Sequence, residues 1–185
     1  PGKSDVFVYY SGHGAPDPNS KKGYFVPVDC NPTNISLNGY PLDVFYNNLA
    51  KLETNNMTIV KDACFSGGTN KGSTLIDSAS PIGIDVKNRV LSRKDAIYFA
   101  SAQGDQISSW YPEKKHSLFT YFFLKALQGK ADLNNDQRLT YKEVYNYVTD
   151  RHEGVPYLAR RLYNGREQIP TLQGQNPDKT FIKYN

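Results

Sequence analysis

The sequence predicts an α/β domain built on a mostly parallel sheet, and three observations carry that prediction. Short runs of β-branched and aromatic residues recur along the chain, as strands require. Three of them end in turns of small residues: Ser11-Gly12-His13-Gly14 after Asp5–Tyr10, Cys64-Phe65-Ser66-Gly67-Gly68 after Met57–Ala63, and Ser101-Ala102-Gln103-Gly104-Asp105 after Ala96–Ala100. Segments with helical spacing lie between or after them, which is the alternation of an α/β sheet. At 185 residues the chain (1–185) fits a single domain, long enough to bury roughly 70% of its unfolded surface around one core.

Taken in order, DVFVYY at Asp5–Tyr10 reads as a strand stopped by glycine. GYFVPV at Gly23–Val28 is a second extended piece, and its proline places it near a sheet edge. Leu42–Leu52 sets Leu42, Phe45, Leu49 and Leu52 on one helical face. Met57–Ala63 and Ala96–Ala100 are apolar strands. Ser117–Leu127 is a strongly apolar helix that stops near Gly129, the residue type favoured just past a helix end. Tyr141–Thr149 is a further helix. In such sheets the functional site lies beyond the carboxyl ends of the strands.

Composition narrows the function classes. The 22 basic and 18 acidic residues give a formal charge of +4, but they are interspersed, with only short pairs such as Lys114-Lys115 and Arg160-Arg161. That is too diffuse for a nucleic-acid footprint. No apolar stretch reaches bilayer length, so no membrane partner is expected. Two cysteines, Cys30 and Cys64, do not make a disulfide framework. The chain opens on Pro1 and reaches a strand within five residues, which predicts a piece of something longer and leaves localisation unread.

His13 and Cys64 each follow a strand, and each is framed by small residues: Gly12 and Gly14 around the imidazole, Ala63 and Ser66-Gly67-Gly68 around the thiol. An imidazole can take the proton of a thiol and later give one to a leaving amine, the division of labour in cysteine hydrolases. Singly, each residue would read as a buried small hydrophobe or a turn cap. Two of them at strand ends in glycine frames favour the catalytic reading.

YYSGHG, followed about fifty residues later by DACFSGG, resembles the caspase-like cysteine peptidases, the group of caspases, metacaspases, legumain and gingipains, and most closely its bacterial caspase-family and metacaspase branch. FASAQGDQISSW with HSLFTYFFLKAL, and the later PTLQGQNPD, extend the likeness. The resemblance implies a caspase-like fold lacking its first strand and helix in this chain, completed by an upstream segment of the same protein or by a separate chain. It implies that His13 is the general acid and base and Cys64 the nucleophile, with the N–H groups of Gly14 and Cys64 as an oxyanion hole. It also makes Asp62, two residues before the cysteine, and Asp105 the acids of a pocket for a basic P1 side chain, bound by charge-assisted hydrogen bonds. The competing reading is that Asp62 caps a helix and Asp105 a turn. Ser108, Ser109 and Trp110 would pair with the substrate backbone as an added strand, and Trp110 would wall a neighbouring subsite or simply pack. The expected partner is thus a peptide or protein with Arg or Lys at P1, and no cofactor is needed for the chemistry. A transamidase on the same dyad, or an inactive interaction domain on the same fold, are the alternatives.

Residues 67–94 are rich in Gly, Ser, Asn and Lys and include Lys71, Lys87, Arg89, Arg93 and Lys94. So long a connection is either a processing loop, cut by the enzyme itself, or a flexible surface loop. Over residues 132–143 the oxygen-bearing side chains Asp132, Asn134, Asp136, Thr140 and Glu143 fall at EF-hand positions, with Arg138 offering a carbonyl. Gln137 stands where such loops place glycine, which raises the cost of a left-handed turn. Calcium is therefore a candidate ligand, and an Asp-rich turn capping the next helix is the alternative. Cys30, His116 and His152 read as structural or capping residues, with His116 starting the helix after it.

Overall fold

A computed structural model describes residues 2–17, 19–31, 34–63, 89–104 and 106–184. Strand β1 (Asp5–Ser11) is followed by β2 (His13–Pro16), β3 (Gly23–Val26), helix α1 (Ile35–Asn38), β4 (Tyr40–Pro41) and α2 (Leu42–Ala50). Then come β5 (Asn56–Asp62), β6 (Ala96–Ala100), the short pair β7 (Trp110–Tyr111) and β8 (His116–Ser117), and α3 (Leu118–Lys125). The chain ends with β9 (Arg138–Thr140), α4 (Tyr141–Val148), α5 (Val155–Leu162), β10 (Thr171–Gly174) and β11 (Thr180–Lys183).

The main sheet has the order β1-β5-β6-β10, with β1, β5 and β6 parallel and β10 antiparallel to β6. The mostly parallel sheet flanked by helices is the architecture the sequence predicts. Every residue of β6 is buried and β5 is nearly so, as central strands covered on both faces must be.

The two-residue period of a strand assigns each side chain to a face. Val60, Ile97 and Phe99 pack on one face against Leu118, Phe119 and Phe123 of α3, Val144 and Val148 of α4, and Val155 and Ala159 of α5. Met57, Ile59, Tyr98 and Ala100 face the other way, against Phe25, Leu42, Tyr46 and Val90. Thr58 shares the first face, bonded to the Tyr141 hydroxyl at 2.7 Å. Asp62, four residues on, has the same parity and so is aimed at the start of α3.

β1 forms an outer edge of this sheet, with Phe7 53% and Tyr9 43% exposed. A small antiparallel sheet of order β2-β3-β4 leaves the carboxyl end of β1. No helix among the described residues is long and apolar enough to cross a membrane.

Several elements differ from expectation. Helix α2 ends at Ala50, so Leu52 is exposed and the core position goes to Tyr46 instead. The cause lies across the fold: the Arg93 guanidinium takes the carbonyls of Ala50 and Leu52, the Thr54 hydroxyl and the Asp95 carboxylate. Of the long connection expected over 67–94, residues 67–88 lie outside the described residues. At its end Arg89–Ser92 form a 3-10 turn around fully buried Val90. His116 belongs to β8, not to α3, whose cap is Ser117. Beyond Lys125 the helix continues as a π turn over Ala126–Lys130, where Gly129 has φ +92°, a conformation that suits glycine. α5, which carries proline in its first turn, and β10 have no counterpart in the sequence reading.

Candidate active site

The parallel register sets the carboxyl ends of β1 and β5 side by side. Ser11, the last residue of β1, lies opposite Asp62, the last residue of β5. His13 follows two residues after the first of these, and in sequence Cys64 follows two residues after the second. Adjacent strands are about 4.8 Å apart, so both turns start from neighbouring strand ends. Cys64 and Asp105 themselves lie outside the described residues.

The turn into β2 is shaped by Tyr10. Its hydroxyl donates to the carbonyl of His13 at 2.8 Å, and its ring lies across Gly12, where a Cβ would come within 2.8 Å of the phenol oxygen. Any side chain at Gly12 would displace that ring. Burial pushes the Tyr10 phenol above its ordinary pKa, against a smaller opposing effect from a Val26 backbone hydrogen bond. The Gly12 N–H donates to the carbonyl of Asp62 at 3.2 Å, tying the histidine turn to the end of β5. His13 is exposed, while Gly14 is buried and registered opposite Phe25 of β3.

Asp62 is only 3% exposed. Its Oδ1 accepts from the Ser108 hydroxyl at 2.7 Å, and its Oδ2 accepts from the hydroxyls of Ser117 and Thr120. Thr120 has one proton and gives it to Asp62, so Tyr9, whose hydroxyl is 2.6 Å from Thr120 Oγ1, donates in turn. Ser117 also caps α3, accepting the Thr120 N–H at 3.1 Å. The carboxylate thus joins β5, the 108 segment, the start of α3 and, through Thr120, β1. Among the described residues, three hydroxyls compensate its burial, the hydrogen bonding that a buried charge demands.

Ser108 and Ser109 are buried and Trp110 is 41% exposed. The Ser109 N–H donates to Gln168 Oε1 at 2.8 Å, and its carbonyl accepts from Leu118 N–H at 2.9 Å. The Trp110 carbonyl accepts from the Tyr163 hydroxyl at 2.6 Å.

The 132–143 segment runs from the π turn through β9 into the first turn of α4. Asp132 accepts from the N–H groups of Asp136 and Gln137, Asn134 from Asp136, and Asp136 from Arg138. Gln137 does adopt the left-handed backbone that glycine would favour, at φ +63°. Thr140 and Glu143 form a capping box on α4, satisfying two backbone donors reciprocally. Among the described residues no three His, Cys, Asp or Glu side chains group as a metal site. Elsewhere Cys30 donates to Asn38 Oδ1 at 3.1 Å, and burial pushes its thiol up. His152 sits in a turn, its N–H held by Asp150.

Sequence reasoning missed Ser117, Thr120, Tyr9 and Gln168. Only the Ser-x-x-Thr spacing at a helix start hinted at the first pair, and as a cap; nothing linked them to Asp62 more than fifty residues away.

The comparisons agree with this architecture. A crystal structure of protein GSU0716 from Geobacter sulfurreducens superposes with a TM-score of 0.59 at 16% identity, covering 100% of this chain and 72% of that one. At that identity the likeness is one of fold. No curated protein matches the chain. A family model described as the caspase domain matches residues 2–182. With nearly the whole chain inside that match, this protein belongs to the caspase-domain family of cysteine peptidases.

Proposed function

We propose that the chain is a cysteine endopeptidase in which His13 and Cys64 form the catalytic dyad and cleavage follows Arg or Lys. The observation that carries the reading is the register of Ser11 with Asp62, which starts the histidine and cysteine turns from adjacent ends of parallel strands. Family membership supports the same chemistry.

His13 takes the Cys64 proton, and the thiolate attacks the substrate carbonyl. The N–H groups of Gly14 and Cys64 receive the developing oxyanion. The C–N bond breaks as the imidazolium protonates the leaving amine. Water, deprotonated by His13, then hydrolyses the thioester and regenerates the thiol.

Asp62 supports the preference for a basic P1 residue. A carboxylate has about four lone-pair sites, and three are taken here. Among the described residues one site on Oδ1 is untaken, which suits a guanidinium or ammonium, with Asp105 as the second acid. Ser109 and Trp110 have their carbonyls in internal bonds, but a carbonyl oxygen carries a second lone pair, which leaves each able to accept from a substrate N–H. Among the described residues β1 pairs on one side only, and with Phe7 and Tyr9 half exposed this edge suits an added strand from an upstream segment or a separate chain. Calcium at Asp132–Glu143 is a separate proposal that a calorimetric titration without heat removes, and no catalytic step depends on it.

Peptides with Arg, Lys and Asp at P1 should be compared with wild type, His13→Ala and Cys64→Ala. Turnover of the basic peptides, lost in both variants, and labelling by an arginyl chloromethyl ketone, lost in Cys64→Ala, are the expected results. Preferred turnover of the Asp peptide overturns the specificity, and activity that survives Cys64→Ala overturns the mechanism.

A further inference from the structure

The segment after α5 lies along the segment proposed to receive the substrate backbone. Tyr163 donates to the Trp110 carbonyl at 2.6 Å. Arg166 stacks on the Tyr163 ring, 4.6 Å from its centroid, and reaches Ser109 Oγ at 3.4 Å. Gln168 follows, and then Ile169, whose N–H donates to Gln106 Oε1 at 2.7 Å. Both ends of this strap are fixed. α5 is anchored by fully buried Val155 and Ala159, and β10, starting three residues after Gln168, is registered on β6 with Thr171 opposite Ala100.

Gln168 is the strap's one fully buried polar side chain, at 0% exposure. Its Oε1 accepts the Ser109 N–H at 2.8 Å, and its Nε2 donates to the Ser101 carbonyl at 3.0 Å and to Ser108 Oγ at 3.4 Å. These partners fix which end is oxygen and which is nitrogen. Ser108 gives its only proton to Asp62, so it can only accept from Gln168. The resulting relay runs from the Gln168 amide through the Ser108 hydroxyl to the Asp62 carboxylate. The same amide sets the Ser109 backbone and ties it to the end of β6.

We propose that Gln168 is a positioning residue for substrate binding, holding the Ser108–Trp110 backbone and the Asp62 carboxylate in the arrangement that receives the P1 residue. This rests on the peptidase reading above. Only a side-chain carboxamide offers an acceptor and two donors in that planar spacing without charge, and asparagine, one methylene shorter, brings the same group less far from its backbone. Glutamate could still accept from Ser109 N–H, but it would face the Ser101 carbonyl with lone pairs and set a second carboxylate beside the Ser108 relay. Methionine fills the volume and makes none of the bonds.

The test compares wild type with Gln168→Glu and Gln168→Met. Three readouts are needed: steady-state kinetics on an Arg peptide, the rate of Cys64 alkylation by iodoacetamide, and hydrogen exchange at the Ser109 amide. The expected result is a loss of kcat/KM on the order of tenfold to a hundredfold, carried mainly by KM, with alkylation unchanged and exchange at Ser109 accelerated while the amides of β5 and β6 stay protected. Unchanged KM in a folded Gln168→Met variant with wild-type exchange at Ser109 overturns the proposal alone. Parallel loss of alkylation and β5 protection also overturns it, because the role would then be general stability. Absence of peptide turnover by wild type sinks the peptidase reading itself, and the positioning role with it.

Discussion

Replacing Asp62 with asparagine isolates the charge of the buried carboxylate from its shape. The structure gives the magnitude. Three hydroxyls donate to the group, two of them to Oδ2 and one to Oδ1. An asparagine can keep its oxygen toward Ser117 and Thr120, so those two bonds persist but lose charge assistance. Its NH2 then faces Ser108, whose hydroxyl must turn away from the role of donor while Gln168 Nε2 also points at it. Hydrogen bonds to charged groups contribute about 1.5–3 kcal/mol and neutral ones about half of that, so the net loss should be about 2–4 kcal/mol. For a domain of this size that corresponds to a fall in Tm of roughly 5–15 °C. Thermal unfolding followed by circular dichroism measures the shift, with Ser108→Ala as a milder companion that removes one donor. Kinetics on an Arg peptide measure the second consequence, a fall in kcat/KM of about ten- to a hundredfold from loss of one charged contact. A melting temperature within 2 °C or so of wild type would refute the idea that the three hydroxyls and the carboxylate hold β5 to α3. An unaltered kcat/KM would remove Asp62 from the P1 pocket and leave it the structural role alone.

Other consequences follow from the same geometry. Thr140→Ala breaks the capping box of α4 and should lower stability by about 1 kcal/mol without altering peptide turnover, as read by urea unfolding and the peptide assay. Burial pushes the Tyr46 phenol up to about 12. Because the folded value exceeds the unfolded one, its contribution is complete below pH 10 and is lost as pH rises toward 12; Tyr98, bonded to it and raised well above its ordinary value by burial, shares the decline, so Tyr46→Phe should make the decline shallower by about 2–3 kcal/mol when unfolding is followed across that range. Arg93 is bonded to Asp95, Thr54 and two carbonyls, so mass spectrometry of any self-processed protein should find no cut after Arg93. Arg93→Gln should lower stability by about 2–3 kcal/mol, since it leaves Asp95 without its cation and frees the carbonyls that end α2.

Much of the sheet was readable because its strands are short, apolar and bounded by small residues. Ala96–Ala100 shows this directly: a run buried on both faces has no room for polar residues, and a turn beyond it needs flexible backbone. α5 escaped notice because proline stands in its first turn, and β10 because none of its four residues is fully buried to mark it as a core strand. The expected face of α2 failed at Leu52 for a different reason, since Arg93 ends the helix from more than forty residues away in sequence.

By itself, then, the sequence determined the α/β class, the places of β1, β5 and β6 along the chain and the choice of His13 and Cys64 as candidates, because those rest on local patterning and on glycine frames that any reader of the chain can see. Only the tertiary structure decided that Asp62 is ringed by Ser108, Ser117 and Thr120, and that Gln168 returns from the far end of the chain to hold Ser109. Hydrogen bonds of this kind have no sequence spacing: they depend on which face a strand residue takes and on which distant segment the fold brings to it.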